Sequence, residues 1–135
     1  MVTNILCVIC KDIIEDKETK MVSYINCIER VGSDKFPANL PSVSLGTAWI
    51  KDSNVEEKFK LRVKLLFPDN EEKVLLETPD NIIKGDRHRV NFVISGFPLK
   101  KEGQHRLVVE KLGQNSWEFA GSASLMAAKN VVRGK

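Results

Sequence analysis

Hydrophobic and polar residues alternate with a period of two along much of this chain. The pattern is clearest over residues 58–67, KFKLRVKLLF, where hydrophobic side chains take every second position and lysine or arginine takes most of the others. Successive side chains of a β-strand point to opposite faces of a sheet. The segment therefore predicts a half-buried strand with one cationic face in water.

Seven other segments also predict strands, and short runs rich in Gly, Pro, Asn and Asp separate them. No segment combines the length and the 3.6-residue period of an amphipathic helix. Together these features predict an all-β fold, an antiparallel β-sandwich of about eight strands. The eight predicted strands are residues 3–10, 21–31, 42–51, 58–67, 73–78, 87–95, 104–112 and 117–126.

The length of 135 residues suits one domain, because a chain of this size buries enough surface for a core without a metal or a disulfide. We predict a single β-sandwich domain over residues 1–127 and a basic C-terminal tail over residues 128–135. No run approaches the roughly 18 apolar residues that a membrane span needs, and the first residues lack the pattern of a signal peptide. Three cysteines are too few for a secreted disulfide framework, which favours the cytoplasm.

The two halves of the chain differ in charge. Residues 1–81 carry eleven Lys and Arg against fourteen Asp and Glu, a net charge of −3, whereas residues 82–135 carry ten against four, a net charge of +6. A basic half suits an acidic protein or a phosphate-bearing partner. No nucleic-acid recognition motif accompanies this charge.

Basic side chains on three predicted strands form the candidate binding face. They take the outward positions of the strands over residues 58–67, 87–95 and 104–112, and they share one surface if these strands belong to one sheet. The alternative is that they serve solubility. Aromatic residues do not interleave with them as single-stranded nucleic acid requires, so we expect a protein partner ahead of nucleic acid. The six residues are Lys60, Arg62, Lys64, Arg87, Arg89 and Arg106.

Two of the three cysteines form a CxxC motif, Cys7-Val8-Ile9-Cys10. In redox proteins and zinc ribbons this motif sits on a helix start or a turn, which brings the two thiols together. On a strand, residues three apart face opposite sides of the sheet. Cys27 offers only one further thiol, so we predict core thiols for the CxxC pair and keep a redox or metal role as the alternative.

His88 and His105 lie on neighbouring predicted strands, and Asp86 is close to the first. Imidazole and carboxylate groups suit zinc or nickel, but these three residues supply few ligands for a metal site. We predict structural histidines, whose charge would change near pH 6–7 if an imidazole is buried. The alternative is a weak metal-dependent enzyme around this pair.

Other signatures of catalysis are missing from the sequence. It has no G-x-S-x-G frame, no P-loop and no dinucleotide-binding glycine motif. We therefore predict that the protein is not an enzyme, and we expect no catalytic residue, cofactor or metal.

Residues 99–109, LKKEGQHRLVV, resemble the turn into the sixth strand of immunoglobulin-like and fibronectin-like sandwiches. In those domains a Leu, a Gly and a Tyr precede an alternating strand, and the Tyr hydroxyl bonds to upstream backbone. Here His105 occupies the Tyr position, and its imidazole would make the equivalent bond.

Three further segments are similar to a family of small bacterial β-sandwich proteins of unknown function. They are residues 5–10, ILCVIC, residues 20–28, KMVSYINCI, and residues 36–41, FPANLP. The similarity spans residues 3 to about 126. It implies an immunoglobulin-like fold in a bacterial protein, and no catalytic residues, because the family has no assigned activity.

These observations predict a non-catalytic interaction or accessory module, which binds another protein through an edge strand or the basic face. The predicted strands over residues 42–51 and 117–126 carry small residues that let another backbone approach and extend the sheet. The same route would allow a homodimer. The alternative is phosphate or nucleic-acid binding through the six basic residues.

Overall fold

The structure is a computed structural model that describes residues 1–130, and these residues form eleven β-strands. The predicted all-β class is confirmed. No helix of the described residues is long and apolar enough to cross a membrane. The strands are β1 (Val2–Glu15), β2 (Val22–Cys27), β3 (Arg30–Ser33), β4 (Ala38–Lys51), β5 (Glu57–Phe59), β6 (Leu61–Leu66), β7 (Glu72–Glu77), β8 (Asn81–Ile83), β9 (Arg87–Leu99), β10 (Gly103–Leu112) and β11 (Trp117–Lys129).

The strands form two large sheets and a two-stranded ribbon. One sheet has the order β2-β1-β4-β9, the other has the order β3-β11-β10-β6-β7, and β5 pairs with β8. Every pairing is antiparallel except that of β3 with β11, which is parallel. Buried side chains of both sheets, among them Trp49 and Leu107, form one hydrophobic core, so the two sheets pack face to face. The immunoglobulin-like topology stays a prediction.

Strand β6 shows why the alternating pattern is informative. Leu61, Val63 and Leu65 are completely buried, while Arg62 and Lys64 lie on the outward face between them. A half-buried strand with a cationic outer face is therefore present over residues 61–66. The predicted bounds, residues 58–67, are wrong, because Lys60 separates β6 from β5, which pairs with β8 in the ribbon.

The strand bounds differ from the predicted ones in the β1–β2 hairpin. β1 continues beyond Cys10 to Glu15 because its second half pairs with β2. The predicted strand over residues 21–31 is split, since Ile28 N donates to Ile9 O and the next residue accepts a bond from β11. Its second part, β3, therefore joins the opposite sheet.

The β1–β2 hairpin bends across the outward face of the four-stranded sheet. A methyl group at Gly46 of β4 would lie 2.4 Å from Tyr24 Cε1, so only glycine lets the Tyr24 ring approach this closely. The Tyr24 hydroxyl accepts a hydrogen bond from Arg89 Nη1 of β9 at 2.6 Å. The hairpin thereby covers part of this face, and the tyrosine ties it to β9.

The end of the chain differs from the predicted tail. Ala128 and Lys129 belong to β11 and pair with β3. Residues 131–135 of the predicted basic tail lie outside the described residues.

Candidate interaction site

The six basic residues proposed as one binding face lie on both sheets. Arg62 and Lys64 of β6 and Arg106 of β10 point outward from the five-stranded sheet, whereas Arg87 and Arg89 of β9 point outward from the four-stranded sheet. The outward faces of two packed sheets point in opposite directions. The strands therefore do not meet the condition of a shared sheet, and the phosphate or nucleic-acid alternative loses its continuous surface.

On the five-stranded sheet, the basic groups are engaged by Glu110 of β10. Glu110 Oε1 lies 2.6 Å from Arg62 Nη2 and 2.9 Å from Arg62 Nε, and Glu110 Oε2 lies 3.3 Å from Lys64 Nζ. Burial by itself raises the pKa of Glu110, but hydrogen bonds from both basic groups outweigh it and hold the pKa below its usual value. The Arg62 guanidinium also lies 4.7 Å from the centre of the Trp117 ring.

Two other members of the set also have partners inside the chain. Arg106 Nη2 donates to Ser122 Oγ at 2.9 Å, and Arg89 holds Tyr24 as described above. Lys60 directly precedes β6 and is exposed. Four of the six basic side chains, those of Arg62, Lys64, Arg89 and Arg106, therefore bind partners within the chain and stabilise the fold.

The His105 imidazole is fully buried near the start of β10. Its Nδ1 lies 3.1 Å from Gly103 O, so it makes the bond to upstream backbone expected of a residue in the Tyr position. Its ring lies edge-on to Phe67 at 5.8 Å and packs near Phe97. Its Nε2 has no hydrogen-bond partner, and burial lowers the pKa of the imidazole.

The structure does not bring the two histidines together. His88 lies opposite Trp49 near the start of β9 and packs edge-on against Phe59 at 6.1 Å. His105 packs near Phe97 at the other end of β9, and nine extended residues span about 30 Å. The alternative of a metal-dependent enzyme around this pair is therefore wrong in its geometry. Residues 1–130 hold no group of three or more potential ligands around one point.

The cysteines are arranged differently from a metal or redox CxxC. Cys7 lies opposite Thr47 and Cys10 opposite Ser44 in the β1–β4 ladder, so their side chains leave opposite faces, as predicted. Burial raises the pKa of the Cys7 thiol to about 11, which makes it a poor nucleophile. Cys10, however, lies directly opposite Cys27 in the β1–β2 hairpin. Sequence reasoning missed this pair, because only the hairpin register reveals it.

The predicted edge strand over residues 42–51 is not an edge. It forms most of β4, which pairs with β1 on one side and β9 on the other. The second predicted edge, residues 117–126 of β11, pairs with β10 on one side, while on the other side β3 pairs from Met126 onward and β1 packs nearby. A methyl group at Gly121 would lie 2.3 Å from Asn4 Oδ1. β4 is therefore not free to receive another strand, and the contact with β1 at Gly121 obstructs the side of β11 away from β10.

The edge strands of the four-stranded sheet are instead β2, which has six residues, and β9, which has thirteen. Among the described residues, no strand other than β4 pairs with β9. Lys51 N donates a hydrogen bond to Asp86 O, so residues 51 and 86 form a hydrogen-bonded pair. Hydrogen-bonded and non-bonded pairs alternate along an antiparallel ladder, so the even-numbered residues of β9 bond to β4. The N–H and C=O groups of the odd-numbered residues therefore point away from the sheet. We call residues 87, 89, 91, 93 and 95 the open edge of β9.

Beyond Arg87 and Arg89, the open edge lacks the features that protect other sheet edges. Residues 90–95, VNFVIS, carry no charge, and Val93 is 69% exposed on the outward face. Edge strands are normally short, charged or bulged, because an unpaired edge invites another strand. β7, one edge strand of the other sheet, meets that rule: it has six residues, three of them charged, and a bulge against β6. Thus β9 stands out as the candidate interaction site.

Residues 5–119 match a family whose description is "Family of unknown function (DUF6941)". No curated protein matches the chain.

The chain is similar to parts of two much larger proteins of known structure, and it spans less than a third of either. The chain is similar to part of the alkylpurine DNA glycosylase AlkC of Pseudomonas fluorescens, bound to DNA containing an abasic site analog. Identity is 10% and the TM-score 0.59, over 94% of this chain and 30% of that one. It is also similar to part of a β-glucosidase from Listeria innocua, with 12% identity and a TM-score of 0.49 over 78% and 15% of the two chains. At such identities, the first likeness supports the fold alone.

Proposed function

The chain belongs to the family of unknown function DUF6941, and we propose that it is a non-catalytic protein-interaction module that accepts an extended segment of another chain along the open edge of β9. One observation carries this proposal. Alternate residues of a long strand, whose residues 90–95 carry no charge, direct their backbone N–H and C=O groups away from β4, with which alone among the described strands β9 pairs. Strand addition uses such groups for affinity and side-chain contacts for specificity.

Strand addition on this edge has a modest energy. Each backbone hydrogen bond contributes about 0.5–1.5 kcal/mol net, because it replaces bonds to water. Ordering the incoming segment opposes that gain. The exposed Val93 side chain adds an apolar contact on the outward face. We therefore expect a reversible interaction that needs several consecutive paired residues.

The state of the titratable groups supports a non-catalytic role. His105 is enclosed by aromatic rings, and Glu110 is neutralised by two basic neighbours. Catalytic acids and bases instead need access to a substrate at a geometry set for proton transfer. We also propose a bacterial cytoplasmic location, which is compatible with the free thiols of Cys7, Cys10 and Cys27.

Peptide selection tests this proposal directly. Peptides selected from a displayed random library on the wild-type protein should shift the backbone amide resonances of the open edge of β9. Val93→Pro should abolish their binding, because the lost N–H faces outward and the ladder with β4 keeps its bonds. Val74→Pro on β7, where Val74 is also exposed, is the matched control and should leave binding unchanged. Selected peptides that map to another surface, or no binder to a protein that stays monomeric, would contradict the proposal.

A further inference from the structure

We infer that the segment bound by the open edge of β9 is β9 of a second copy of this chain, in an antiparallel pair centred on Asn91. This inference rests on the proposed function and names its partner. The result is a two-fold symmetric dimer in which the four-stranded sheets of two copies join into one eight-stranded sheet.

The hydrogen-bonding phase of β9 is self-complementary. In an antiparallel pair centred on Asn91, residue 89 of one copy lies opposite residue 93 of the second, and residue 87 lies opposite residue 95. Each of these residues directs its N–H and C=O groups outward. Opposed residues of this kind exchange two hydrogen bonds. Five such pairs satisfy every backbone group of the open edge without moving any strand.

The first and last regular residues of the open edge of β9 determine the residue on which the antiparallel pair is centred. Gly96 has a φ of +72°, and the alternation of outward and inward side chains breaks there, because Phe97 and Leu99 are buried. At the other end, β9 begins at Arg87. The regular edge therefore runs from residue 87 to residue 95, and its midpoint is Asn91. A pair centred on Asn91 places residues 87–95 of one copy opposite residues 87–95 of the second copy.

Charge selects the antiparallel direction. Arg87 and Arg89 occupy the first part of β9, and no acidic residue occupies its second part. A parallel pair in register would place both arginines beside their own copies, and like charges directly opposite each other are destabilising. In the antiparallel pair, Arg89 faces Val93 of the second copy and Arg87 faces Ser95.

On the outward face of the four-stranded sheet, the Asn91 side chains of the two copies meet at the two-fold axis. Asn91 is exposed and lies opposite itself in the pair. An amide side chain both donates and accepts, so two copies of Asn91 satisfy each other. The bond from Arg89 to the Tyr24 hydroxyl holds that arginine over the outward face, clear of the strand edge.

Concentration-dependent hydrogen exchange tests the pair in the unmodified protein. The amides of the open edge should exchange more slowly as protein concentration rises, and those of β7 should not change. Light scattering during size-exclusion chromatography should report a dimer at the high end of the same range. Asn91→Pro should shift the protein to monomer while circular dichroism stays unchanged.

Cross-linking tests the register. In a Cys27→Ser background, Asn91→Cys places two thiols opposite each other at a Cα separation of about 5.5 Å, which a disulfide spans. Glutathione disulfide should cross-link this variant into dimers much faster than the matched Val74→Cys variant on β7. Equal rates, or a dimer that survives Asn91→Pro, would overturn the inference.

The outcomes separate this inference from the proposed function. A protein that stays monomeric, yet binds selected peptides along β9, refutes the second copy as partner and leaves the interaction module intact. A protein that neither dimerises nor binds peptides on β9 refutes both. A dimer with concentration-dependent protection of the open edge supports both.

Discussion

Acid should destabilise this protein through His105 before its carboxylates titrate fully. The imidazole is buried between Phe67 and Phe97, and its Nε2 has no partner to stabilise a proton there. Burial lowers the pKa of the folded state from 6.5, against the opposing influence of the Gly103 carbonyl and Asp69. The unfolded chain therefore binds more protons than the folded one at pH values below 6.5.

The sign and size of the effect follow from proton linkage. Stability is complete above the unfolded pKa and falls as the pH drops from 6.5 towards the folded pKa. The slope approaches about 1.4 kcal/mol per pH unit where only the unfolded state is protonated. At one unit below the unfolded pKa, the predicted loss is up to about 1.4 kcal/mol, which is a large fraction of the stability of a small domain.

Urea unfolding as a function of pH measures this loss, and His105→Leu isolates it. Leucine is of similar size and removes the titration. It leaves the Gly103 carbonyl without its bond, but it also removes the unpaired Nε2, so we expect stability near neutral pH to change by only about 1 kcal/mol. The variant should lose the slope between pH 6.5 and 5.5, whereas His88→Leu, which retains His105, should keep it. Parallel stability curves for wild type and His105→Leu would refute the reasoning.

Three further changes test the packing seen here. Glu110→Gln removes the carboxylate that Arg62 and Lys64 share and leaves Lys64 only its exposed partner Glu72, so urea unfolding should show a loss of about 2 kcal/mol; an unchanged midpoint would mean that the cluster is solvated. Gly46→Ala places a methyl group 2.4 Å from Tyr24 Cε1, so thermal unfolding should show a loss of about 1–3 kcal/mol, which Tyr24→Ala should partly restore. Cys10 and Cys27 are directly opposed, so glutathione disulfide should join them with an intact-mass loss of two hydrogens; oxidised protein in which neither residue appears in a linked peptide would contradict that register.

Much of the fold is readable from local patterns. The alternation over residues 58–67 placed Leu61, Val63 and Leu65 in the core before any contact was known, because the face on which a strand side chain lies depends only on its position. The same parity separated Cys7 from Cys10. The bond from His105 to upstream backbone was also accessible, since its two partners are only two residues apart.

The candidate site on β9 could not be predicted from local sequence patterns, because whether a strand is an edge depends on which other strands pair with it. Small residues over residues 42–51 suggested an edge, yet in β4 they allow the close approach of Tyr24 and lie between two other strands. β9 reads as an ordinary half-buried strand, and only the sheet order leaves one of its sides unpaired.

The sequence by itself thus determined the class of the fold, the outward and inward residues of most strands, and the local turn at His105. The tertiary structure alone decided which strands share a sheet. It thereby divided the basic residues between two opposite faces, paired Cys10 with Cys27 and left β9 open. The physical reason is range: side-chain parity follows from the geometry of one strand, whereas pairing depends on hydrogen bonds between residues far apart in the chain.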